Sequence, residues 1–211
     1  MIKAALLALG LLTATSAQAQ WLGGLDLNGD RTLLGVGRMF TNDQFGDVDD
    51  RWRTGSYSLS FVSGRGWTGT PSSQFGDILE YRFATQMIAP RRLNGPDSHD
   101  RAYAGVLSFG AHTHFSAGPA QVSLGADLVL VGPQTGVIDL QDGFHSLFSF
   151  ASVGAAVRAN QIANTARIAG TAEVSLPIRV TERTTLRPFA ELQYGLEDIA
   201  RVGFDLLIGV V

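Results

Sequence analysis

Strand-length segments in which apolar residues alternate with small or polar ones recur along the chain, and this period of two constrains the fold more than any other feature. In 57–61, Tyr57, Leu59 and Phe61 alternate with Ser58 and Ser60. In 103–115, Tyr103, Leu107, Phe109 and Phe115 share one face, and Ser108, Gly110, His112 and His114 the other. Val122, Leu124, Ala126, Leu128 and Leu130 oppose Gln121, Ser123, Gly125 and Asp127, while Val202, Phe204, Leu206 and Ile208 oppose Arg201, Gly203 and Asp205. No apolar stripe of helical length accompanies them. Each such strand must bury one face in something apolar and turn the other to something wet. A soluble sandwich does this by pairing apolar faces inward. An outer-membrane barrel turns them to lipid and keeps the small polar residues in its lumen.

The rest of the sequence favours the barrel. Residues 1–19 read as a secretory signal: Lys3 is the positive start, Ala4 to Leu12 the apolar core, and Ala17-Gln18-Ala19 the cleavage site. That core is too short to span a bilayer, which takes about 20 helical residues. The mature chain, expected as one barrel domain over 20–211, then has no lysine, and its formal charge moves from −3 to −4. A lysine nucleophile or base is excluded, and no strongly basic face suggests a nucleic-acid partner. With no cysteine, neither a disulfide framework nor a thiolate site is available, and the strand network must hold the fold. Abundant glycine on the polar faces suits a narrow lumen.

Strands are predicted near 31–41, 53–63, 76–87, 102–115, 119–131, 146–158, 164–177, 183–194 and 199–210. With a periplasmic start, the longer connections 42–52, 88–101 and 132–145 all fall on the outer side. Nine strands are odd where bacterial barrels are even, and the last would end on the wrong side at Val211. Pairing of 20–29, giving about ten strands, or a missing C-terminal part would reconcile the count.

Three clusters sit in or against the outer connections: Asn42-Asp43, Asp100-Arg101-Ala102-Tyr103-Ala104-Gly105, and a segment that opens with Gly132-Pro133 and closes with Gln141 and His145. Convergence of distant segments on one rim suggests an enzyme site. His145, at a predicted loop-to-strand junction, is the side chain best suited to take a proton near neutral pH. Its alternative is a structural hydrogen bond. Asn42 and Asp43 offer the hard oxygens that calcium collects, although Asn-Asp is also common loop punctuation. Thr54 has the parity of Ser56, Ser58 and Ser60, which predicts a lumen-facing hydroxyl near the rim. Arg101 presents a fork of donors for a phosphate or an oxyanion, or pairs with an acid such as Asp100. Gln141 is read as orienting the loop or His145, and Asp142 as a solvated carboxylate or an orienter of the histidine. For His112 and His114, lumen hydrogen bonding is preferred to zinc, since no second ligand pair has zinc-like spacing. No Gly-x-Ser-x-Gly elbow supports a serine nucleophile.

In this order, together with Asp50-Arg51-Trp52-Arg53-Thr54, the clusters resemble the motifs of the outer-membrane lipid A 3′-O-deacylase family. The resemblance runs through most of the mature chain. Ala102 stands where the family has proline and Val106 where it has tryptophan. What the resemblance implies is a calcium-dependent esterase in a barrel of about twelve strands, releasing the 3′-linked acyloxyacyl group of lipid A. The expected protein is then a monomeric, all-β, antiparallel outer-membrane barrel of a Gram-negative bacterium, with lipid A or lipopolysaccharide as its partner. His145 is its base, Arg101 and Thr54 assist, and Asn42 and Asp43 hold calcium. The alternatives are a barrel that binds lipid A without cleaving it, a structural barrel, and a small pore.

Overall fold

The computed structural model describes residues 31–42, 52–95, 99–148 and 152–209. The expected secretory signal at 1–19, Asp43 and the segment 20–29 lie outside them. Nine strands form one antiparallel sheet: β1 (Thr32–Asn42), β2 (Trp52–Gly64), β3 (Ile78–Ala89), β4 (Ala104–Ala117), β5 (Ala120–Val131), β6 (Thr165–Ser175), β7 (Ile178–Thr181), β8 (Thr184–Tyr194) and β9 (Ile199–Ile208). Neighbours in sequence are neighbours in the sheet, except that β8 pairs with β6, β7 and β9. Among the described residues no helix is long and apolar enough to cross a membrane. The crossing elements are the strands.

Eight of the predicted strands are present and one is not. Residues 146–158 carry helices: α1 (Val137–Phe148) takes in its start, and α2 (Ala155–Ala159) follows. The apolar run around Leu147 belongs to the helical pattern that begins at Val137, and a run this short does not declare its period. The ninth strand is instead β7, which pairs with β8 beyond Leu176-Pro177 on the side that β6 occupies. Proline cannot donate to a ladder, so β6 and β7 form one wall strand interrupted at Pro177. Among the described residues the wall therefore has eight crossing strands, an even number, and β9 runs back to the side where β1 begins. The parity conflict disappears once 132–164 becomes a single outer connection.

Register assigns the two faces. Ser60 lies opposite Arg82, Arg82 opposite Gly110, Gly110 opposite Asp127 and Asp127 opposite Ala169, so these share the lumen side. Leu59, Phe83, Phe109, Leu128 and Ile168 form the matching row outside. Phe109, Leu128, Ile168, Leu192, Val202 and Phe204 are all exposed, which suits a surface solvated by lipid.

Charged side chains inside are matched to one another. Glu80 accepts from Ser60 Oγ at 2.5 Å and from Arg82, and lies 2.9 Å from His114 Nε2. His112 Nε2 stands 3.3 Å from Asp127, Arg187 donates to Asp205 and Glu173, and Arg201 to Glu191 at 2.6 Å. A Cβ on Gly125 would overlap the His112 ring, and one on Gly110 the Asp127 carboxylate. The lumen glycines therefore make room for ring and carboxylate. His114 finds its partner in lumen hydrogen bonding, and a lumen so filled does not favour a pore.

The outer mouth is plugged differently. Ala104, Val106, Val129 and Val131 form an apolar cluster on the lumen side, with Ile88, Ala169 and Leu196 packed against it. Leu196 comes from the β8–β9 turn, and Arg53 of β2 donates to Glu197 of that turn at 2.8 Å. This ion pair links segments 144 residues apart, so the sheet is curled enough to bring its second strand to its last turn.

Candidate active site

The candidate site is built on the outward side of the wall, not in the lumen. At Gly132 the backbone leaves β5 with φ 99°, and its N–H donates to the Gly105 carbonyl at 3.0 Å. A Cβ there would stand 2.7 Å from the Ile162 carbonyl oxygen, so residue 132 must lack a side chain. Pro133 then opens a 3-10 turn (Pro133–Thr135), closed by Thr135 Oγ1 donating to the Gly132 carbonyl at 2.8 Å, and Gly136 with φ 65° leads into α1. Gly105 faces outward opposite Met87, and a Cβ on it would lie 2.6 Å from Thr135 Oγ1 and 2.7 Å from Val137 Cβ. Gly105 thus lets the start of α1 lie directly against the outer lip of the wall, while Gly132 makes room for the chain at 162–164 that returns to β6.

Helical spacing puts Val137, Ile138, Gln141 and His145 on the face turned to the wall, and all four are buried. Ile138 joins Ala89, Leu93, Tyr103, Val153 and Val157 in an apolar cluster roofed by α1 and α2. Tyr103 is completely buried, and its hydroxyl donates to Gln141 Oε1 at 2.8 Å. It is also tied to the chain after α2, where Ile162 N–H donates to its carbonyl at 2.8 Å. Gln141 is therefore an anchor, one turn before His145, and His145 sits within a helix rather than at the predicted junction with a strand. Its burial on the outward side is notable because polar groups taken out of water at membrane depth are costly unless they serve a purpose.

Asp142 departs from the reading of a solvated loop carboxylate. It accepts from Val153 N–H at 2.7 Å and from Arg158, whose other nitrogen donates to Asp139 at 2.7 Å, so α1 and α2 are clamped together. Burial pushes the Asp142 carboxyl up, but the Val153 N–H, the Arg158 guanidinium and the nearby His145 outweigh it and hold it below its ordinary value. The Arg158 guanidinium is held above its ordinary value, first by its hydrogen bonds to Asp139 and Asp142.

The remaining predicted residues come from other strands at the same lip. Asn42, with outward parity at the end of β1, pairs with Gly55 of β2. Thr54 is the extra residue of a β-bulge between Arg53, opposite the lumen-facing Ile88, and Gly55, opposite the outward-facing Met87. The bulge interrupts the alternation from which a lumen hydroxyl is expected, and Thr54 is buried. The next residue but one, Trp52, pairs with Ala89 of the cluster beneath α1. Tyr103, Gln141 and His145 are thus assembled on one helix and its seat, with Asn42 and Thr54 on the neighbouring strands of the same lip. Arg101 is exposed just before β4. Asp100 spends its carboxylate on backbone N–H groups, those of Arg91 at 2.6 Å and Arg101 at 2.8 Å. Arg158 was not anticipated; helical spacing from Asp139 to Asp142 was the one signal that marked its partners.

Among the described residues no three His, Asp or Glu side chains are grouped to hold a metal. Of the Asn42-Asp43 pair, the described part is the amide of Asn42. Both are hard oxygen donors of the kind calcium takes.

The fold and its outward lip site define an outer-membrane β-barrel. The chain belongs to the family described as Outer membrane protein LpxR, whose model matches residues 5–186. Among solved structures it is similar to LpxR from Salmonella typhimurium, with 19% identity, a TM-score of 0.64, and coverage of 80% of this chain and 60% of that one. That likeness carries the fold, and the chain spans about 60% of the length of that protein. Comparison with the curated proteins finds no match.

Proposed function

We propose that the protein is a lipid A deacylase in which His145, pressed between α1 and the outer wall, activates water against the ester of the 3′-linked acyloxyacyl group. One observation carries the reading: a histidine and a glutamine one turn apart are buried on the lipid-facing side of a barrel, with Tyr103 anchoring the glutamine. Family membership supports it. In ester hydrolysis His145 takes a proton from water as the water oxygen bonds to the acyl carbon. The ester C–O bond then breaks, and the proton passes to the departing sugar oxygen. The products are a free acid and a lipid A hydroxyl. Gln141 and Tyr103 hold the helix and with it the imidazole, Arg101 grips a phosphate or the oxyanion, and Thr54 assists the metal or the water. Asn42 and Asp43 are the proposed calcium ligands; bound calcium would polarise the ester carbonyl.

The test is release of the acyloxyacyl group from purified lipid A by the detergent-solubilised chain, with calcium added and with calcium chelated. Calcium-dependent release is expected. Release that persists in chelator would remove Asn42 and Asp43 from the account, and no release under either condition would leave a barrel that binds lipid A without cleaving it.

A further inference from the structure

The wall-facing side of α1 accounts for Val137, Ile138, Gln141 and His145, and Asp139 and Asp142 face Arg158 on another side. One flank is left. Leu140, Phe144 and Leu147 follow one another at spacings of four and three, so they form a single stripe along the helix. All three are exposed, to 59%, 40% and 68%. The stripe borders the buried face and lies away from the acidic side, which gives the helix an apolar half and a polar half.

Its height can be estimated from the strands. Val137 sits level with Gly105, five residues above Gly110 near the middle of β4. At about 3.4 Å per residue and a tilt of roughly 40°, that level is about 13 Å above the middle of the wall. The apolar band of such barrels is about 25 Å tall, so α1 lies at its upper edge. Below that level runs the lipid-facing row of Phe83, Phe109 and Leu128. An amphipathic helix at the boundary of headgroups and acyl chains is seated with its apolar half in hydrocarbon.

We propose that α1 is an interfacial helix whose Leu140–Phe144–Leu147 stripe is packed by acyl chains of the outer leaflet, so that the lipid surface itself forms one wall beside His145. This is independent of whether His145 reacts. The occupant is lipid rather than protein because the helix is seated on the side of the wall that faces lipid, its start lies at the level where the apolar band ends, and the stripe is exposed.

The absence of cysteine makes the test direct. Single variants Leu140→Cys, Leu147→Cys, Ser146→Cys and Leu128→Cys are spin-labelled in the full chain, reconstituted in phosphatidylcholine vesicles. Collision with oxygen is then compared with collision with a water-soluble nickel chelate. Labels at 140 and 147 are expected to resemble the one at 128, with oxygen favoured several-fold, while 146 favours the chelate. Chelate access at 140 and 147 equal to that at 146 would overturn the proposal, since the stripe would then face water. Low access to both reagents at 140 and 147 would also overturn it, because protein would then cover the stripe.

Discussion

The wall of this barrel has two polar regions, and they are organised in opposite ways. Inside, carboxylates, arginines and histidines face one another at hydrogen-bond distance, as Glu80 does with Arg82 and His114. Several of these charges are answered by a neighbour and glycines make the room, while the buried His112 Nε2 has no hydrogen-bond partner among the described residues. Outside, at the lip, Tyr103, Gln141 and His145 are deeply covered, beside an apolar cluster that includes Ile138, Val153 and Val157. Polarity in the lumen is what a barrel of this kind requires of any sequence. Polarity buried on the lipid side is not required by the fold, so it points to chemistry. Two histidines of the same chain thus stand in different settings: His114 completes a lumen network, and His145 is buried by a helix on the outward side of the wall.

The comparison can be broken most severely inside. Gly125→Leu drives a side chain into the His112 ring. We expect no folded barrel, seen as loss of the heat-dependent mobility shift in detergent gels, because overpacking a filled interior costs about 1–3 kcal/mol or more and here nothing can yield. A folded, heat-shifting Gly125→Leu would show the lumen to be looser than described. The catalytic contrast comes next. His145→Ala should reduce deacylation by about 10²–10⁴-fold, the usual worth of a positioned base, with the mobility shift intact. His114→Ala should leave the activity within a few-fold.

Smaller effects sharpen the picture of the lip. Tyr103→Phe removes the hydroxyl that Gln141 accepts from, leaving a buried amide oxygen unsatisfied at about 1–3 kcal/mol. The melting temperature should fall, and kcat should fall with little change in KM. Asp142→Asn should cost on the order of 1 kcal/mol, discounted because Arg158 is about a third exposed. The Asp142 carboxyl is held low in the folded protein, so its contribution is complete above its unfolded value of about 3.9 and disappears as the pH falls through the lower folded value. The stability gap between wild type and Asp142→Asn should therefore be constant near neutrality and close only in acid. A gap that closed between pH 6 and 8 would mean that another group, not Asp142, is titrating.

Much of the wall was legible because a period of two recurs in segments such as 57–61, 103–115, 121–130 and 201–208, each standing between recognisable connections. The helices were not. The apolar run near Leu147 was read as a strand, although the four-residue step from Gln141 to His145 is itself a helical spacing, with both residues on one face. Thr54 shows a different limit. Its parity was read correctly from its neighbours, yet a bulge at Arg53–Gly55 cancels parity without leaving a mark in the residue types. The motif glycines could be seen, but their reason needed three dimensions: Gly105 clears the seat of α1, and Gly132 clears the return of the chain at 162–164. Arg158 was missed because its partners, Asp139 and Asp142, had been assigned to an open loop.

The most direct measurement is mass spectrometry of lipid A from Gram-negative cells expressing the wild-type chain, His145→Ala or His114→Ala, each confirmed as a folded outer-membrane barrel. Loss of the 3′-acyloxyacyl mass with the wild type and with His114→Ala, but not with His145→Ala, is the predicted result. Equal loss with His145→Ala, or loss abolished by His114→Ala instead, would contradict the placement of the chemistry on the outer lip.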